Sequence, residues 1–166
     1  IEIEYYRDQA IAFEAFKAGN FDLFYDYMAK NWANAYDFPA LKKGLVHKEE
    51  ISHHIPSTTQ GFFFNARTAL FKNIKVRQAL SLMFDFEWSN KALFNQAYAR
   101  NQSYFPNSDF SARGLPSNEE LALLDPFKSS LPPELFNQAF TLSTTPGNGN
   151  IRKQTKQALA LLKEAG

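Results

Sequence analysis

Phenylalanine is the residue that most constrains this chain: there are 17 in 166 positions, with 7 tyrosines and 2 tryptophans beside them. Rings of this size are stable mainly where they pack against other apolar atoms, and buried aromatics dominate core energetics. The fold must therefore be built around rings, with the remainder lining an apolar cleft or an interface. Cysteine is absent, which removes disulfides, thiol catalysis and zinc–thiolate sites together. The length fits one domain, 1–166. Eighteen basic and 17 acidic side chains are interspersed. That balance leaves no basic stripe for neutralising phosphates, so nucleic acid is not an expected partner. No apolar run approaches the length of a membrane-spanning helix.

Periodicity divides the chain into elements. Ile1 to Tyr6 alternates apolar and acidic residues, as a half-exposed strand does. From Asp8 the pattern turns helical, with Ala10, Phe13 and Phe16 on one face and Gly19 as a left-handed cap. Phe21 to Tyr25 reads as a buried strand and Asn31 to Tyr36 as a short helix. Glu49 to Ile55 and Gly61 to Asn65 read as further strands around a turn at Pro56-Ser57-Thr58. Val76, Ala79, Leu80, Met83 and Phe84 form the clearest helical stripe, expected to be buried. Asp85 is the expected N-cap of a helix over Glu87 to Gln96, and Ser117 to Glu120 is a capping box. Ile151 to Ala165 is a final helix with Ala158, Leu161, Leu162 and Ala165 on one face. Two stretches, Ala99 to Leu115 and Pro126 to Gly149, are irregular. They are too long for a free-standing small domain and suit segments that wrap a larger protein or border a cleft. The chain begins inside a strand pattern and stops just past a helix, so it is expected to be cut from a longer one. The order of elements predicts an α/β fold, a mixed sheet flanked by helices.

Catalytic chemistry is poorly represented. His53 and His54 are neighbours on an expected strand, so they point to opposite faces and do not chelate one ion; His47 is remote in sequence. Glu49, Glu50, Asp109, Glu119 and Glu120 have no selective spacing and suit strand edges, loops and helix N-termini. There is no nucleophile elbow, phosphate loop or dinucleotide fingerprint. The expectation is no catalytic residue, no metal and no cofactor. The alternative class is a hydrolase domain acting on peptides or carbohydrates through scattered carboxylates, which requires such groups to converge with shifted pKa values. A third class is an interaction module, which needs a large exposed apolar patch in the intact protein.

Two aromatic clusters are better candidates for function. Gln60 to Asn65 places three consecutive Phe on an expected strand, so at least one faces each side. Phe24 to Trp32 carries Tyr25, Asp26 and Tyr27 just beyond an expected strand end, where ligand sites of open α/β sheets collect. Tyr and Trp pair an apolar body with a polar handle.

Several segments resemble one family. Ala18-Gly19-Asn20-Phe21-Asp22 is similar to the segment opening the second lobe of peptide and nickel solute-binding proteins. Phe64-Asn65, Phe71, Ile74 to Leu80 and Phe84-Asp85 resemble their recurrent signature, and Ala158 to Gly166 their Leu-Leu-…-Glu-Ala-Gly helix. Gly114 to Ser117 through Leu131 to Phe136 is similar to the subgroup serving microcin C and murein-peptide importers. Leu70 stands where the family usually has Pro, and Phe86 where it commonly has Arg; both are structural positions. The resemblance implies part of the second lobe of a two-lobed periplasmic receptor of an ABC importer. Its ligand would be an oligopeptide or peptide-like compound, and its partners an inner-membrane permease and the remaining lobe. The acidic residue with which the family commonly holds a peptide's amino terminus lies outside this segment. Alignment with the family and the clusters above select Tyr25, Asp26, Tyr27, Gln60, Gly61 and Phe62 as the expected ligand surface. Gly61 admits a close backbone approach, and Gln60 pairs with a peptide amide.

Overall fold

A computed structural model describes all residues, Ile1–Gly166. The chain separates into two units, Ile1–Ile51 and Ser52–Gly166, and contains helices and irregular segments without a single strand.

In the first unit, α1 (Gln9–Lys17) starts where Asp8 Oδ1 accepts the N–H groups of Ala10 and Ile11, at 2.7 and 3.3 Å. Those amides have no partner inside the helix, so a side-chain acceptor is what a helix start needs. The helix ends at Gly19, whose φ of +79° is a left-handed conformation that few other residues adopt cheaply. Two short helices follow, α2 (Ala29–Asn34) and α3 (Pro39–Lys42). The core is a cluster of rings. Phe13 packs on Phe24, Tyr36 and Phe38 with centroids 5.8, 5.2 and 6.3 Å away. Phe16 stacks on Phe24 at 5.4 Å and meets Phe21 at 5.8 Å. Ala12, Phe13 and Phe38 are the buried residues here.

The second unit contains α4 (Ala69–Lys72), α5 (Ile74–Leu82), α6 (Phe86–Leu93) and α7 (Asn118–Leu124). A 3₁₀ turn (Asp125–Ser130), α8 (Glu134–Asn137) and α9 (Arg152–Ala165) complete it. Its core is the α5–α9 pair, in which Val76 and Ala79 of α5 and Gln154 and Ala158 of α9 are buried. Gln154 is satisfied by donating from Nε2 to the Thr144 carbonyl at 3.1 Å. Lys75 and Glu164 join the two helices by an exposed ion pair at 2.9 Å. The α7 capping box is complete, with Ser117 and Glu120 each bonding the other's backbone N–H.

The expected mixed sheet is not present, which corrects the α/β reading. Residues 1–6, 21–25, 49–55 and 61–65 form no ladder. Alternation shows which side chains share a face, but a strand exists only beside a partner whose backbone accepts its hydrogen bonds. Here the partners are of other kinds. Phe21 and Phe24 lay their rings on Phe16 of α1. The 53–59 segment is stitched to a loop: Ser57 N–H donates to Pro106 O at 3.1 Å, and Asn107 Nδ2 donates to the carbonyls of His53 and Ile55 at 3.1 and 2.8 Å.

The helical stripe is also corrected in part. Val76 and Ala79 are buried, but Leu80, Met83 and Phe84 are exposed. Alanines at the α5–α9 contact leave only a narrow strip covered, because the side chains at the contact set the distance between helices.

Candidate functional site

The six expected ligand-surface residues fall three in each unit. In the first, Tyr25 and Tyr27 are 78% and 65% exposed. Asp26 between them is half-buried and fully engaged. Its Oδ1 accepts the Met28 N–H at 2.9 Å, and its Oδ2 accepts the Tyr36 hydroxyl at 3.1 Å. In the second unit Gln60, Gly61 and Phe62 are all exposed, Phe62 at 88%. A Cβ added at Gly61 would meet nothing within 4 Å, so the chain's own packing does not require glycine there. Of the neighbouring rings, Phe64 packs on Phe71 at 5.0 Å while Phe63 stays exposed.

Beside Asp26 lies an arrangement that sequence reasoning did not assemble. Trp32 and Tyr36 meet edge to face at 5.3 Å. The Lys48 ammonium sits 4.1 Å from the Trp32 ring centre and 4.9 Å from that of Tyr36, and it donates to the Trp32 carbonyl. Trp32 Nε1 donates to Glu50 Oε1 at 2.7 Å. Burial, and then the Asp26 charge, push the Tyr36 hydroxyl well above the ordinary tyrosine range. The aromatic run from Phe24 to Trp32 was the available signal. Lys48 follows Trp32 by 16 residues, with the end of α2, all of α3 and two irregular stretches between them, so no helical or strand spacing connects them.

The second unit has two grooves. One, of about 350 Å³, lies along α6 and residues 145–147, and Glu87, Asn90 and Lys91 contribute to its wall. At its edge Thr145 ties the carboxylates of α6 together. Its hydroxyl donates to Asp85 Oδ1, and its N–H donates to Glu87 Oε2 at 3.1 Å. Asp85 Oδ1 also caps α6 by accepting the Trp88 N–H at 3.0 Å, as the sequence led one to expect. Gly147 is buried with φ +66°, a left-handed backbone that favours glycine, and a Cβ there would lie 3.3 Å from that of Glu87, a tight contact that Glu87 would have to relieve. The other groove, of about 300 Å³, is bordered by His54, Asp109 and Arg113. None of the six expected residues lines either groove.

Titratable groups away from their ordinary values have local causes. The Tyr6 hydroxyl is raised chiefly by its bond to Glu4. The Glu119 carboxyl is lowered by its own backbone N–H and then by Ser117, at the N-terminus of α7. These shifts belong to a helix start and an exposed pair, and they pair no acid with a base. No group of three or more His, Asp or Glu side chains is placed to hold a metal ion, and no helix is long and apolar enough to cross a membrane.

The sequence model described as bacterial extracellular solute-binding proteins, family 5, middle part, matches residues 1–166. The chain belongs to this family. It is 43% identical over 166 residues to the uncharacterized protein YejA of Escherichia coli (strain K12), covering all of this chain and 28% of that protein. In Agrobacterium fabrum (strain C58) it is 38% identical over 174 residues to the peptidoglycan-binding protein YepA, with 28% of that protein covered. To the probable peptide-binding protein YejA of the same organism it is 36% identical over 168 residues, with 27% covered. The chain thus spans little more than a quarter of the length of these curated relatives. The resemblance carried by Ala18–Asp22, Phe64–Asp85 and Ala158–Gly166 is borne out at the level of the family.

Proposed function

We propose that this chain is part of the second lobe of a periplasmic substrate-binding protein. That protein captures an oligopeptide or peptide-like compound and hands it to the inner-membrane permease of an ABC importer. The observation carrying this reading is membership of a solute-binding family along the whole chain. Relatives named as peptide-binding and peptidoglycan-binding support the ligand class. They also accord with the murein-peptide side of the subgroup that residues 114–136 resemble. The protein binds, closes and releases, and no bond of the ligand is made or broken.

The ligand surface in this reading is Tyr25, Asp26 and Tyr27 together with Gln60, Gly61 and Phe62. Exposed rings give apolar walls that accept varied side chains, and the Gln60 amide offers both a donor and an acceptor to a peptide group. The vacant space around Gly61 leaves room for a ligand backbone. Residues of the other lobe complete the enclosure by hinge closure. The test is the Tyr25→Ala/Gln60→Ala double variant of the full-length protein, titrated with peptides in a calorimeter. Losing a ring contact and an amide pair is expected to weaken binding by about 10–100-fold. Unchanged affinity with an intact fold places the cleft on another face.

A further inference from the structure

The geometry points to an ammonium-binding cage in the first unit, walled by Trp32 and Tyr36, in which Lys48 stands in for a primary amine carried by the ligand. The inference rests on the reading of Tyr25–Tyr27 as ligand surface, because Asp26 belongs to both.

The cage has the parts that recognise a cation and little else. Two aromatic faces lie 4.1 and 4.9 Å from the Lys48 nitrogen, within the range where the ring quadrupole attracts positive charge. The Trp32 carbonyl accepts one of the three ammonium protons. Each ring also donates outward to a carboxylate: Trp32 Nε1 to Glu50 at 2.7 Å, and the Tyr36 hydroxyl to Asp26 at 3.1 Å. A donor bonded to an anion pushes electron density back into its ring, which deepens the negative face that the ammonium meets. The two carboxylates add long-range attraction for a cation.

Lys48 is weakly held as an occupant. It is exposed and lies in a segment without regular structure, residues 45–51. Its contacts in the cage are the two rings and one carbonyl, and no carboxylate forms an ion pair with it. A lysine on such a tether swings into solvent without disturbing a helix. The cage then presents the same two faces and the same carbonyl to an incoming amine, beside the exposed rings of Tyr25 and Tyr27. Trp32 and Tyr36 are half-buried, so the rings keep their positions when Lys48 leaves.

The experiment uses full-length protein as wild type, Lys48→Met, Lys48→Met/Trp32→Leu and Lys48→Met/Trp32→Phe, each checked for its fold by circular dichroism. n-Butylammonium chloride is titrated first. Saturable binding is expected in Lys48→Met, weaker in wild type where Lys48 competes. It should weaken by about tenfold or more in the Leu variant and less in the Phe variant, which keeps a ring. No saturable binding in Lys48→Met, or equal binding with and without the Trp32 ring, overturns the cage whatever peptides do.

The second arm titrates Ala-Lys-Ala, its N-acetylated form, and Ala-norleucine-Ala into wild type and Lys48→Met. If a side-chain amine fills the cage, Lys48→Met tightens both lysine peptides and leaves the norleucine peptide unchanged. If the N-terminal amine fills it, only the acetylated peptide fails to tighten. Equal response of all three peptides, shared by N-acetylated Ala-norleucine-Ala, which carries no amine, overturns the assignment to a ligand amine and leaves Lys48 a staple of its own segment. Absence of binding by every peptide counts against the peptide-receptor reading, and the butylammonium result then decides the cage alone.

Discussion

The two units reach stability by different routes. In Ile1–Ile51 the interior is a network of rings, with Phe13 touching Phe24, Tyr36 and Phe38 and with Phe16 touching Phe21 and Phe24. In Ser52–Gly166 the interior is a close helix pair with alanines at the contact, and the surrounding loops are fixed by side chains bonded to backbone or carboxylate. A ring core tolerates irregular backbone, because large side chains fill space from several directions. A narrow helix contact covers little, and its loops must satisfy their own polar groups by specific bonds. The first unit should therefore be most sensitive to loss of volume, and the second to loss of a hydrogen bond.

The sharpest way to break this contrast is Phe13→Ala. Removing a buried ring from the centre of the cluster is expected to cost about 3–5 kcal/mol. Native-state hydrogen exchange should show the lost protection in α1 and its neighbours up to Phe38, with α5 and α9 retaining theirs. Equal loss in α5 and α9 would mean one cooperative core and would end the comparison.

A smaller effect is expected from Thr145→Val, which keeps the shape of the side chain and removes the hydroxyl that donates to Asp85. The other Asp85 oxygen, Oδ2, is already buried without a partner, so the carboxylate would keep only the Trp88 N–H on Oδ1. The expected loss is about 1.5–3 kcal/mol, read as a lower urea midpoint with unchanged slope. A neutral result would show that this unit does not depend on its polar ties.

The smallest effect, and the one that refines the picture of the ring cluster, is Tyr36→Phe. The ring is kept and the bond to Asp26 is lost, at a cost of about 0.5–1.5 kcal/mol near neutral pH. The sign of the pH dependence follows from the raised pKa of this hydroxyl in the folded chain. Its contribution is complete below the ordinary tyrosine value of 10.0 and is lost as pH rises above that value toward the folded one, because the unfolded chain ionises first. Denaturation midpoints followed from neutral pH to about pH 12 should fall more steeply for wild type than for the variant. Parallel curves would place the Tyr36 hydroxyl in open solvent.

What the sequence determined by itself was local or inherited. Asp85 and Ser117 were legible as helix caps because a cap is a bond between a side chain and an amide two or three residues away. Gly19 was legible as a helix stop for the same reason. The family was legible because its short motifs recur at matching spacing along the whole chain. The tertiary structure alone decided where the alternating segments found partners, and they found rings and loop side chains in place of strands. It also decided that Leu80, Met83 and Phe84 stay exposed while Ala79 and Ala158 are buried in the contacting helices α5 and α9. Lys48 against the rings of Trp32 and Tyr36 is a third case, since a step of 16 positions from Trp32 across α3 corresponds to no regular spacing. In each case periodicity could state which side chains share a face, while the partner for that face was chosen by packing between residues far apart in the chain.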